Sequence, residues 1–176
     1  MKKYLLFVFA ALTTASAYSQ GFQVTFKAPG YKSGIAYLTY YMGSNFNIAD
    51  SAAIANNGTA IFKDSTKLPP GIYAIFFPGK QLRTEFLVGD EQILTVTADT
   101  ADLLNKTLVT GSKENLLYDQ YQKIAASKGR MIQQERQAYM AAATKADSAL
   151  HEKKYTTLIN ELNDYREGII KNQSKS

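Results

Sequence analysis

The residue types that ordinarily carry covalent or metal chemistry are nearly missing from this chain. Cysteine is absent and His151 is the single histidine, so thiol exchange, thiolate nucleophiles and imidazole-based metal or triad chemistry lack the residues they need. His151 sits among Glu152, Lys153 and Lys154, the surroundings of a surface side chain rather than of a ligand. Ser51, Ser65 and Ser112 lie outside any nucleophile elbow, and no glycine-rich phosphate loop occurs. Carboxylates remain. Asp90 with Glu91, and Asp99 with Asp102, stand at the ends of predicted strands, but a hydrolase needs two acids about 5 to 9.5 Å apart in contrasting environments. Acids this close in sequence read better as turn formers, and they lack the spacing of a calcium loop. The expectation is a chain without catalytic residues, bound metal or cofactor.

Binding chemistry is better represented. The chain has 12 tyrosines and no tryptophan, and Tyr31, Tyr37, Tyr40, Tyr41 and Phe46 crowd around one predicted strand. Exposed rings stack on sugars or on peptide side chains, which makes Tyr37, Tyr40 and Tyr41 a candidate ligand platform. Aromatic residues also favour strands and fill cores, so the platform exists only if these three are not all buried.

Two kinds of element must position these residues. From Phe22 to about Thr110, short runs rich in Val, Ile, Thr, Tyr and Phe are separated by Gly, Pro, Asn and Asp, which predicts strands and turns. Eight strands are expected: 22–27, 35–41, 48–55, 59–63, 72–77, 84–88, 93–98 and 107–109. The spacing predicts an antiparallel β-sandwich or meander. Asn56-Asn57-Gly58 offers the positive-φ positions of a tight turn, predicting a hairpin between the third and fourth strands. Thr95-Val96-Thr97 alternates like a strand with one wet face. In contrast, 72–77 and 35–42 are apolar on nearly every residue, as central strands covered on both sides are.

After Gly111 the period changes. Ser112 is placed to cap a helix that carries Glu114 in its first turn. No proline follows, and a break over 144–147, with Asp147 as the expected N-cap, predicts two helices. In the second, Tyr155, Leu158, Leu162, Tyr165 and Ile169 form one seam that Ile159 widens. These six residues are the candidate interaction surface. The first helix is apolar at Leu117, Tyr121, Ile124 and Met131, yet Lys128 and Glu135 fall in the same register. The whole is therefore of α+β class: a sandwich over 21–111 followed by an antiparallel helical hairpin over 112–176, expected to lie over the second face of the sheet.

The first twenty residues read as an export signal. Lys2 and Lys3 precede an apolar run, and Ala15-Ser16-Ala17 offers small residues for cleavage after Ala17, with Gln20 as the alternative. The run is shorter than the roughly 20 residues that cross a bilayer. The implied location is extracytoplasmic, in a bacterial periplasm or envelope, with no transmembrane span left after cleavage. The formal charge of +5 falls to +3 without Lys2 and Lys3, and the remaining basic residues are interleaved with acids. That pattern argues against nucleic acid as a partner.

Four segments together resemble a known family. Asp50-Ser51-Ala52 running through Gly58 to Phe62, Pro70-Gly71-Ile72-Tyr73, Phe86-Leu87-Val88 with Gln92 to Asp99, and Gly111-Ser112 with Asn115 and Tyr118 are similar to an uncharacterised exported β-sandwich domain. That domain stands N-terminal to thioredoxin-like domains in thiol:disulfide oxidoreductases and peroxiredoxin-like proteins of the Gram-negative envelope. The resemblance implies a thioredoxin-like partner in cis or in trans, or self-association. It carries over no catalytic residue, because the family's redox chemistry resides in a CxxC motif and this chain has no cysteine.

Overall fold

The computed structural model describes residues 21–43 and 45–173; the expected export signal lies outside them. Eight strands form two four-stranded sheets, with helices following. The strands are β1 (Phe22–Lys27), β2 (Ile35–Met42), β3 (Asn45–Ala53), β4 (Thr59–Asp64), β5 (Gly71–Phe76), β6 (Arg83–Val88), β7 (Ile93–Thr97) and β8 (Leu108–Thr110). One sheet has the order β4-β1-β7-β8 and the other β3-β2-β5-β6. This is the α+β sandwich followed by helices that the periodicity predicts. One pairing departs from an all-antiparallel scheme: β1 and β7 run parallel, with Val24 opposite Leu94 and Phe26 opposite Val96.

The core lies between the sheets, where alternation delivers one face of every long strand. Val24 and Phe26 from β1, Phe62 from β4 and Leu94 and Val96 from β7 meet Leu38, Ile75 and Phe86 from the opposite sheet, all buried. Phe77, just past β5, sets its ring edge-on to Phe26 at 5.0 Å and beside Tyr31 at 5.6 Å. The predicted central strands are indeed central, since β2 and β5 are flanked by β3 and β6.

The expected hairpin between the third and fourth strands does not form. The turn is present: Gly58 has φ +76°, its N–H donates to the Ala55 carbonyl, and Ala55 N–H donates to the Thr59 carbonyl. Beyond it, however, β3 pairs with β2 and β4 with β1. The turn is an arch between sheets rather than a hairpin within one. The reason is burial: Ile54 is inside the core, so the chain must cross the sandwich at this point. Gly58 also packs so closely that a Cβ would stand 2.5 Å from the Ala28 carbonyl oxygen.

Two buried side-chain amides stand in for missing strand neighbours. Gln92 accepts from Leu68 N–H (2.8 Å) and donates to the carbonyls of Leu68 (3.2 Å) and Gly89 (2.8 Å). Asn115 accepts from Leu87 N–H and donates to the Leu87 carbonyl, both at 2.8 Å. Each satisfies one residue's backbone donor and acceptor, which would otherwise be stranded away from water. Asn115 thereby closes part of the β6 edge that would invite another strand.

A short helix α1 (Leu103–Lys106) precedes β8, and two helices of 29 residues follow, α2 (Lys113–Ala141) and α3 (Lys145–Gln173). The α3 cap differs from expectation. Thr144 is the capping residue: its hydroxyl accepts from Asp147 N–H at 3.1 Å and donates to the Asp147 carboxylate at 2.7 Å. Thr144 thus caps the helix through its hydroxyl, which Asp147, in the first turn, holds in place with its carboxylate. Ser112 stands at the α2 cap with extended backbone, but its hydroxyl makes no capping bond.

Lys128 and Glu135, which interrupt the apolar stripe of α2, are paired across the hairpin. Lys128 Nζ meets Glu161 at 2.5 Å, Glu135 meets His151 Nδ1 at 2.7 Å, and the Tyr139 ring lies edge-on to Tyr155 at 5.9 Å. These three contacts fix an antiparallel register. Among the described residues no helix is long and apolar enough to cross a membrane.

Candidate functional site

The two outer faces of the sandwich differ in chemistry. The outer face of β4-β1-β7-β8 carries Gln23, Thr25, Lys27, Lys63, Thr95 and Thr97, with Ile61, Ile93 and Leu108 exposed among them; it holds no aromatic ring. The outer face of β3-β2-β5-β6 carries rings instead. Tyr37 and Tyr41 from β2, Phe46 from β3 and Phe76 from β5 are all half-buried. Tyr41 and Phe46 lie 4.2 Å apart, and Phe46 meets Phe76 edge-on at 5.0 Å.

Cations lie over these rings. The Arg83 guanidinium is 5.1 Å from the centre of Phe46 and 6.0 Å from Phe76, and Lys80 Nζ is 4.2 Å from the centre of Tyr37, within the range of cation–π attraction. Lys80 is in the left-handed region at φ 58°, a conformation that is unfavourable for a residue with a side chain of this size.

Alternation divides the three tyrosines of the expected platform. Tyr37 and Tyr41 point outward, but Tyr40, one residue out of phase, packs against the core with its ring 6.2 Å from Tyr73. The platform therefore consists of Tyr37 and Tyr41 with Phe46 and Phe76 added. Phe76 was readable only as one of six consecutive apolar residues, a run in which no alternation marks the outward positions.

Glu85 joins this face to the helices. It accepts from Tyr41 Oη at 2.7 Å, Arg83 Nε at 3.0 Å and Tyr118 Oη, on the first turns of α2, at 3.5 Å. Burial, followed by the neighbouring Glu85, raises the phenols of Tyr41 and Tyr118 above their ordinary value, while the Glu85 hydrogen bond holds Arg83 more firmly protonated. Neutral phenols are thus favoured in the folded state. Stability from this source is complete below about pH 10 and declines as pH rises through the folded-state values. Thermal melts between about pH 9 and 11 are expected to show that decline, and Tyr41→Phe with Tyr118→Phe to flatten it. Phenolate absorbance that titrates as in a free peptide would contradict the network.

The helices cover less of this face than expected. The first turns of α2 reach it through Asn115 and Tyr118, and the end of α3 comes near it at Ile169, while Tyr37, Tyr41, Phe46 and Phe76 stay partly exposed. Where hairpin and sheet meet, Ile72, Leu87, Leu117, Tyr118, Tyr121 and Ile169 line an apolar groove of about 370 Å³ that Glu114 and Arg166 flank. Across Ile72 lies a second cleft of about 460 Å³, lined by Tyr40, Tyr41, Met42, Leu68, Pro69 and Tyr73. Sequence periodicity alone could not reveal either cleft, since each draws on distant segments.

Of the seam residues, Tyr155, Leu158, Leu162, Tyr165 and Ile169 are half-buried along α3, and Ile159 is 38% exposed. Tyr155 meets Tyr139 and Ile169 reaches the groove at the sheet, so the seam is partly engaged within the hairpin. Asp99 and Asp102 serve local turn and cap chemistry. Asp99 accepts from Ala101 N–H at 2.9 Å and pairs with Lys106 at 3.1 Å, which lowers its pKa, and Asp102 caps α1 through Asn105 N–H at 3.2 Å. No group of three or more metal-binding side chains comes together among the described residues.

A search of curated proteins finds no match, and a search of solved structures finds none. A family model does match, over residues 22–118, which takes in all eight strands, α1 and the turns of α2 that carry Asn115 and Tyr118. The matched segment is more than half of the 176 residues, and the chain belongs to the family described as a domain of unknown function, DUF4369.

Proposed function

We propose that this chain is a non-catalytic accessory domain of the bacterial periplasm or envelope, which presents the outer face of β3-β2-β5-β6 to a protein partner. The partner is a thioredoxin-like domain, in the same polypeptide or in another. One observation carries the reading: of the two outer sheet faces, one sets Ile61, Ile93 and Leu108 singly among threonine, lysine and glutamine, and the other is a contiguous row of half-buried rings with apolar clefts beside it. An aromatic face rimmed by polar residues has the composition of a protein-binding patch. The support for the partner's identity is the resemblance to domains that precede thioredoxin-like modules. The support for export is the basic start, apolar run and small-residue site at residues 1–20.

The experiment is calorimetric titration of the mature chain with thioredoxin-like domains, alongside an assay of disulfide reduction. Binding is expected, with exchange activity only from the partner. Turnover by the chain alone, or no binding by any such domain, would overturn the reading.

A second reading is a carbohydrate- or peptide-binding module, favoured by the edge of the patch where Tyr37 and Phe46 lie beside Lys80 and Arg83. Its mark would be affinity for a soluble oligosaccharide or an extended peptide that falls tenfold or more in Tyr37→Ala and Phe46→Ala variants, as stacking contacts worth about 1.5 kcal/mol require.

A further inference from the structure

The helical hairpin has no core of its own. In its two 29-residue helices, Asn115 is the one buried side chain among the described residues. Met131 and Leu150 are 47% and 50% exposed. Together with Leu158 they line a groove of about 420 Å³ between the helices, with Glu135 on the α2 side and Lys153 and Lys154 on the α3 side.

This groove is separate from the sheet surface described above. At 1.5 Å and 100° per residue, Met131 lies about 20 Å along α2 from Tyr118 and is turned about 140° away from it. The groove therefore opens on the side of the hairpin remote from the aromatic face.

We propose that a second copy of the chain occupies it, related by a two-fold axis running along the hairpin. The geometry follows from the register. Because α2 and α3 are antiparallel, with Glu135 level with His151, such an axis lays α2 of each copy antiparallel on α3 of the other. Met131 then meets Leu158 and Thr157 of the second copy, and Glu135 comes to the second copy's Lys153 and Lys154.

The rims are thus self-complementary: the acidic side of the groove meets the basic side twice, once on each side of the axis. A face about 43 Å long and about 20 Å wide covers on the order of 800 Å² per copy, the area of a standard specific interface. The outcome is an antiparallel four-helix bundle with a sandwich attached to each hairpin.

Sedimentation velocity on the full mature chain, with two complementary charge reversals, tests this. The unaltered chain is expected to dimerise as concentration rises. Glu135→Lys alone, and Lys153→Glu with Lys154→Glu alone, should each weaken dimerisation tenfold or more by placing like charges on facing rims. Mixed in equal amounts, the two variants should regain a dimer. The lysine introduced at position 135 of one then faces the acids introduced at positions 153 and 154 of the other, whose own Glu135 faces the unaltered Lys153 and Lys154 of the first. Recovery on mixing also shows that both variants are folded, and Leu150→Lys supplies an independent disruption of the groove. A chain that stays monomeric at all concentrations, or a dimer indifferent to both reversals and to Leu150→Lys, would overturn the proposal. So would hairpins that bind anionic vesicles through Lys153 and Lys154 in place of one another.

Discussion

Asn115→Ala is expected to destabilise the protein by about 3 kcal/mol and to loosen α2 from the sandwich. Asn115 is 2% exposed, and its amide gives the Leu87 N–H and C=O their partners. Alanine removes two hydrogen bonds and leaves a backbone donor and acceptor without replacements in a site closed to water. Each stranded group costs about 1–3 kcal/mol. Water entering the gap would recover part of that, so the sum stays below the upper limit. Asn115→Asp is expected to fare nearly as badly: it keeps the acceptor for Leu87 N–H but presents an anion to the Leu87 carbonyl. Denaturant unfolding gives the stability change. Hydrogen exchange at Leu87, which should accelerate more than at Val24 or Val96, locates it.

Phe77→Ala is expected to cost about 4 kcal/mol, in the range measured for large aromatic truncations in close-packed cores. The ring is fully buried and touches Phe26 of the opposite sheet and Tyr31 of the β1–β2 connection. Its removal opens a cavity where the two sheets and one loop converge, a place that cannot collapse without moving a strand. Phe77→Leu should lose roughly half as much, since it retains most of the apolar contact but forfeits the edge-on ring geometry. Equal midpoints for Phe77→Ala and the unaltered chain in urea would show that the core does not depend on this contact.

The contrast between these residues explains how far the sequence could be read. Strand positions were legible because period-two alternation and turn residues mark them locally, as in Thr95-Val96-Thr97 and Pro69-Pro70-Gly71. The second half was legible through the three-four spacing of Tyr155, Leu158, Leu162, Tyr165 and Ile169. Non-local pairing leaves no such local mark. Asn56-Asn57-Gly58 announces a turn, but whether the next strand pairs with the last one or crosses to the other sheet depends on Ile54 being drawn into the core. The parallel pairing of β1 with β7 depends on how the intervening strands and turns close, which no window of sequence contains.

The candidate site divides in the same way. Tyr37 and Tyr41 were found by residue type, yet Tyr40 belongs to the core because the strand places it on the other face. Phe76 and Glu85 join the site only through cross-strand neighbours. Lys128 and Glu135 interrupt the α2 stripe along its own helix, and their role is visible only opposite Glu161 and His151. Gln92, Gly111, Asn115 and Tyr118, which carry part of the family resemblance, turn out to hold the architecture together. Gln92 and Asn115 replace missing strand neighbours, Tyr118 docks α2 on Glu85, and Gly111 takes φ +100° with no room for a Cβ beside the Ile93 carbonyl.

The decisive measurement is amide and methyl chemical-shift mapping of the mature chain as a thioredoxin-like domain is added. Perturbations are expected at Tyr37, Tyr41, Phe46, Ile72, Phe76 and Leu87, with Thr25, Lys63, Thr95 and Thr97 on the opposite sheet unmoved. Shifts confined to that threonine- and lysine-bearing sheet, with the aromatic row silent, would contradict it.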